Sequence, residues 1–138
     1  MREILFKAKR IDSGKWVEGC CSVHKGKIFI GININEAFYI PALSWLEVAS
    51  ETLCQFTGLC DKNGNKIWEN DIVTCQTKYG GDIGKVVFHN GKFCVLWNST
   101  YHYPQNGKCE NYYDINTKNS VKGNVFDNPE LLQEESDE

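Results

Sequence analysis

A chain of 138 residues with a net charge of −3 and only three prolines fits one domain, or one domain with a small added layer, and can bury a working core. Its 41% hydrophobic and 12% aromatic content excludes a disordered polypeptide. Glu130, Glu134, Glu135, Asp137 and Glu138 sit at the end and leave the preceding part at +2, too nearly neutral for a duplex nucleic-acid binder that displaces counterions with clustered Lys and Arg.

The opening residues MREILFKAKR interleave charges with apolar positions. They read as a strand of the fold rather than a signal peptide, no membrane span is expected, and the expected compartment is the reducing cytoplasm. Two turn signals follow, Asp12-Ser13-Gly14-Lys15 and His24-Lys25-Gly26-Lys27. Taken as two-residue hairpin loops, they pair Lys9 with Glu18, Phe6 with Cys21, Ile4 with Val23, and Val23 with Ile28. One face then collects Ile4, Phe6, Cys21, Val23, Ile28 and Ile30, the buried side of a three-stranded meander. Lys7, Lys9 and Trp16 lie opposite, where Glu18 beside Lys9 offsets their charge, as on a solvated face. From Asn33 to Leu53 the pattern loosens, and PALSWLEVA with Ser50-Glu51 predicts only a brief helix or turn.

The stretch FTGLCDKNGNKIWENDIV, Phe56 to Val73, places Asp61, Asn63 and Asn65 at alternating positions in the manner of a calcium loop. An EF-hand counted from Asp61 needs Gly at its sixth position and a bidentate Glu at its twelfth. Those positions hold Lys66 and Ile72. The segment is therefore expected to be a turn, Asp61-Lys62-Asn63-Gly64, between Phe56-Thr57-Gly58-Leu59 and Ile67-Trp68.

The second half is more regular. In KVVFHNGKFCVLW, Asn90-Gly91 suits a type I′ turn and pairs Phe88 with Phe93, Val87 with Cys94, Val86 with Val95 and Lys85 with Leu96. Both faces of that hairpin are largely apolar, which predicts a strongly curled sheet or small barrel. Asp71-Ile72-Val73 supplies a preceding strand, Tyr79-Gly80-Gly81-Asp82 a longer turn, and Val121 to Phe126 a closing strand. Asn128-Pro129-Glu130 then predicts the capped start of a short terminal helix.

Between these strands lies WNSTYHYPQNGKCENYYDI, Trp97 to Ile115, where Trp97, Tyr101, Tyr103, Tyr112 and Tyr113 alternate with polar residues. Aromatic loops of this kind stack bases or anchor protein partners. Aromatics are also strong strand formers, so packing of Tyr101, Tyr103 and Tyr113 on the barrel, with Pro104-Gln105-Asn106-Gly107 as the turn, is the plainer reading.

Seven cysteines form an odd count with no paired spacing, so free buried thiols are expected rather than disulfides or zinc ligands. A Cys-His nucleophilic pair drawn from these thiols and His24, His89 or His102 is a third-ranked alternative, because His24 and His89 are explained as hairpin ends. No Walker or dinucleotide motif is complete.

MREILFKAKR, ETLCQFTGLCDKNGNKIWENDIV, GKVVF and VKGNVFDNPELL, in that order, resemble the successive motifs of the YopX family, small proteins carried by phages and prophages. The resemblance spans nearly the whole chain. Its most specific part is the Q-F-T-G-L segment with the D-K-N-G turn. Asn70 stands where the family commonly has Gly, a change that a left-handed backbone tolerates. The resemblance implies a mainly β fold with an SH3-like barrel in the second half, self-assembly, and no catalytic residues to carry over. The expected architecture is an N-terminal β-meander over 1–55 packed with an SH3-like barrel and short helix over 56–132, then an acidic tail over 133–138. The expected function is that of a noncatalytic accessory protein of the bacterial cytoplasm. It would form a homo-oligomer and bind a phage or host protein, without cofactor or metal, through Trp97, Tyr101, Tyr103, Tyr112 and Tyr113. Single-stranded nucleic acid is the less favoured partner.

Overall fold

The computed structural model describes residues 4–33, 43–77, 80–97, 112–116 and 118–132. Within them the protein is mainly β, its only helical pieces being the 3-10 turns Ser50–Thr52 and Pro129–Leu132. The chain divides into two compact units, Met1–Gly58 and Leu59–Glu138. No helix of the described residues is long and apolar enough to cross a membrane.

The first unit is built from β1 (Phe6–Lys9), β2 (Trp16–His24), β3 (Lys27–Asn33), β4 (Leu43–Val48) and the start of β5 (Cys54–Cys60). The four leading strands follow one another as an antiparallel meander, and β5 adds to the outer edge of β1, giving the order β4-β3-β2-β1-β5. The β2–β3 hairpin has the expected register, Val23 opposite Ile28, with Lys25 and Gly26 both at positive φ as a type I′ turn requires.

The β1–β2 hairpin differs from the sequence expectation by two residues. Phe6 faces Gly19, Lys7 faces Glu18 and Lys9 faces Trp16. The cause is a longer loop: Arg10 N–H donates to Lys15 O, and Gly14 N–H folds back on Arg10 O. A two-residue slip preserves the side-chain faces, so Phe6, Cys21, Ile28 and Ile30 remain on the inner side, around the fully buried Ala8 and Ile30. Ile4 and Val23 do not join them and are exposed. Lys7 and Lys9 both reach over the Trp16 ring, at 4.8 and 5.5 Å from its centroid.

The helical turn expected at Ser50-Glu51 is present as the 3-10 turn Ser50–Thr52, but Leu43–Val48, expected to be helix or turn, is the strand β4, paired along β3 from Ile28↔Val48 to Asn33↔Leu43. Its alternating inward Leu46 and Val48 find cover only in an extended conformation, which outweighs local propensity. Its end bends back to β1 through an isolated bridge, Arg10↔Val48.

The chain leaves the first unit within β5 and turns through Asp61–Asn65 into β6 (Lys66–Trp68). The second unit then adds β7 (Asp71–Thr77), β8 (Gly80–His89), β9 (Lys92–Trp97), β10 (Tyr112–Asp114) and β11 (Ser120–Asn124). These five form an antiparallel sheet ordered β10-β9-β8-β7-β11. The pairs about Asn90-Gly91 are those expected from the sequence, from Lys85↔Leu96 to His89↔Lys92. Thr77 pairs with Gly80, so Gly81 and Asp82 belong to β8 instead of to a long turn.

Val73, Val86, Val95 and Trp97 share one face of this sheet and bury against Ile67 of β6. Among the described residues β10 and β11 are unjoined edges, so the sheet is open and the expected SH3-like barrel is not closed. The terminal helix is a single 3-10 turn. Asn128 does not cap it in the expected way: its Oδ1 accepts the N–H of Asn124, behind it in the chain. The acidic tail, 133–138, lies outside the described residues.

Candidate functional site

The Asp61 turn organises the region around it. Gly64 N–H donates to Asp61 O, with Gly64 at φ 85°, so the DKNG segment is a turn as its sequence indicates. The Asp61 side chain is buried, only 6% exposed. Its Oδ1 accepts the backbone N–H groups of Asn63 and Asn65, both at 2.9 Å, and its Oδ2 accepts Asn65 Nδ2 and the N–H of Val121 in β11. Burial alone would raise this carboxyl. The hydrogen bonds from Val121, Asn65 and Asn63 prevail and hold it below the usual carboxylate range. The two Asp61 oxygens thus accept protein N–H groups.

A second turn docks on the first. Asn119, 2% exposed, accepts Asn116 N–H through its Oδ1 and Lys62 N–H through its carbonyl, while Asn116 Oδ1 accepts Lys118 N–H. Main-chain bonds therefore bring Lys62 beside the Asn116–Asn119 turn, and Lys122 follows Val121 on β11.

These elements border a groove of about 1060 Å³ within the second unit. Lys62, Lys118 and Lys122 line it, all exposed, and among the described residues none of the three side chains forms an ion pair. Its wall includes Trp97, and Tyr113 stands at 37% exposure. Asp82 and Asp114 are its acids, and Asp114 is bonded to Lys92 Nζ at 2.7 Å.

The five aromatics expected to form the site divide. Trp97 and Tyr113 line the groove, because Tyr113 pairs with Val95 and so shares the face of Val95 and Trp97. Tyr112, its neighbour on the strand, takes the other face and stacks on His89, centroids 3.7 Å apart at 4°. Tyr101 and Tyr103 lie outside the described residues. The three lysines were not singled out in the sequence; Lys62 entered only as part of the DKNG turn and Lys122 only as part of the closing strand.

The thiol in the groove, Cys75, is pushed up by burial and then by Asp82. Burial likewise raises Cys94 and Cys21. Such shifts favour the neutral thiol, the opposite of an activated nucleophile. His24 and His89 close hairpins opposite Lys27 and Lys92. Among the described residues no three His, Cys, Asp or Glu side chains gather as metal ligands would.

A family model described as YopX protein matches residues 5–133. No curated protein matches the chain. Among solved structures, the chain is similar to the crystal structure of protein EF1440 from Enterococcus faecalis, with a TM-score of 0.53 and 22% sequence identity over 96% of this chain and 100% of that one. At that identity the likeness concerns the fold alone.

Proposed function

The chain belongs to the YopX family, and on that premise we propose that it is a noncatalytic phage or prophage accessory protein, an oligomeric protein-binding module acting in the bacterial cytoplasm. The observation that carries this reading is the groove of the second unit, which Tyr113 lines together with three exposed lysines, Lys62 and Lys118 on turns and Lys122 on β11, all three beside backbone held by hydrogen bonds. Rigid aromatics are what protein interfaces use as anchors, with polar and charged residues at the rim. The groove's thiol, raised by burial, supports a binding role over a chemical one. Among the described residues β10 and β11 are the edges of the sheet, where strand addition by a partner or a second copy takes place.

The test is affinity capture from phage-infected cells, with and without nuclease. A partner protein retained after nuclease and lost on Tyr113→Ala, but not on Tyr112→Ala, supports the reading. Recovery of nuclease-sensitive material alone overturns it. That result would favour a second reading, single-stranded nucleic acid held by the lysines and stacked on Tyr113.

A further inference from the structure

We propose that the groove takes an acidic, extended peptide segment of a protein partner, its carboxylates meeting Lys62, Lys118 and Lys122 and an apolar side chain seated against Tyr113 and Trp97. The proposal rests on the protein-binding reading above and names the chemistry of the partner.

Charge complementarity selects the occupant. Three ammonium groups with no ion-pair partner among the described residues line one cleft. Their backbones are not left to loop motion. Lys62 N–H is bonded to Asn119 O at 3.1 Å, Lys118 N–H to Asn116 Oδ1 at 2.8 Å, and the residue before Lys122 donates to Asp61 at 2.9 Å. Cations whose backbones are already fixed lose less freedom when a ligand binds.

The same lining distinguishes a peptide from a nucleic acid. Asp82 and Asp114 share the groove with the lysines. A single strand presents a phosphate at every nucleotide and meets repulsion at Asp82, whereas Asp114 is neutralised by Lys92 on the Tyr112 face of β10. A peptide can place an N–H, a hydroxyl or a lysine at Asp82 and its acids elsewhere. The volume, about 1060 Å³, lies at the upper end of small-ligand pockets and accommodates a short extended segment, and Trp97 gives it an apolar wall.

The test is fluorescence anisotropy on the full chain with three labelled probes of one length: a peptide alternating Glu with Phe and Ser, the same peptide with Gln for Glu, and oligothymidylate. The acidic peptide should bind at least about tenfold more tightly than either other probe. Replacing the exposed lysines together, Lys62→Gln, Lys118→Gln and Lys122→Gln, should weaken it by about tenfold or more, with the unfolding midpoint unchanged. Because Glu134, Glu135, Asp137 and Glu138 carry the same chemistry, the titration is repeated with those four neutralised, and binding of the acidic peptide must persist there. Equal affinity in the triple-lysine variant, or tighter binding of oligothymidylate, overturns the proposal. A nuclease-resistant partner captured equally well by the triple variant would sink the groove assignment while leaving the protein-binding reading standing. Nuclease-sensitive material alone would sink both.

Discussion

The Asp61 carboxylate accepts the backbone N–H of Val121 at 2.9 Å, joining a turn between β5 and β6 to a strand 60 residues later in the chain. One buried oxygen pair thereby satisfies the inside of its own turn and pins β11, the sheet edge that carries Lys122. Asp61 also lies next to Lys62, whose N–H reaches Asn119 O. The fold of the second unit and the geometry of its groove depend on the same residue.

Replacing Asp61 should accordingly be costly. Asp61→Ala leaves the N–H groups of Asn63, Asn65 and Val121 without their acceptor in a buried site, a loss of roughly 2–4 kcal/mol for charge-assisted bonds of this kind. Urea unfolding should show the midpoint falling with little change in slope. A loss below about 0.5 kcal/mol would mean that water replaces the carboxylate without penalty.

Acid should act through the same group. A carboxyl held lower in the folded protein than in the unfolded chain contributes stability that is fully present above its unfolded value, about 4, and is lost as pH falls through the folded value. Thermal midpoints measured downward from neutral pH should therefore decline below about pH 4. Asp61→Asn, already uncharged, should start lower and decline less steeply; parallel curves for the two proteins would assign the acid sensitivity elsewhere.

The contrast between two hairpins shows what could be read in advance. Asn90-Gly91 fixed the β8–β9 pairing because both residues sit at positive φ, 51° and 82°, and admit a two-residue turn. At the first hairpin Gly14 is also at positive φ, 71°, but it ends a longer loop, and local composition does not separate the two arrangements. The Asp61 segment was legible as a turn because Gly64 demands one. Its bond to Val121 was not, since nothing local reports a partner so distant in sequence. For the same reason Lys62, Lys118 and Lys122 were not grouped: only folding assembles them. Tyr113 and Trp97 were legible as aromatics in an alternating strand, whereas the opposite facing of Tyr112 followed only from the register with β9.

Among the described residues β10 and β11 are the edges of the second unit's sheet, and self-association is the expected outcome of covering them. Light scattering over a wide concentration range should return a mass above that of the 15.8 kDa chain. A monomer mass throughout would show that both edges are protected without a second copy.

Asn70 tests backbone strain apart from packing. It sits at φ 72°, with its N–H donated to Val86 O and its carbonyl receiving Val125 N–H. Asn tolerates this conformation and glycine does so freely, so Asn70→Gly should change stability by no more than about 0.5 kcal/mol. Asn70→Val places a β-branched residue where it is most strained and should cost about 1–2 kcal/mol. If both variants unfold at the same denaturant concentration, the left-handed backbone is not what this position requires.

Gly84 tests the closeness of β8 and β9. It lies opposite Trp97, and a methyl group added there would come within 2.6 Å of Leu96 O, 2.9 Å of Val95 Cγ1 and 3.0 Å of Trp97 Cα. Two of those neighbours are backbone atoms in a paired strand, so relief requires the ladder itself to open. Overpacking of this kind costs about 1–3 kcal/mol. Gly84→Ala should lower the unfolding midpoint accordingly and speed amide exchange at Trp97 and its neighbours on β9. Gly91→Ala is the control: nothing lies within 4 Å of an added methyl there, and its strain comes only from φ 82°. That variant should lose stability while leaving exchange at Trp97 no faster than global unfolding allows, whereas equal local exchange in the two would place the constraint in the turn rather than in the contact of the strands.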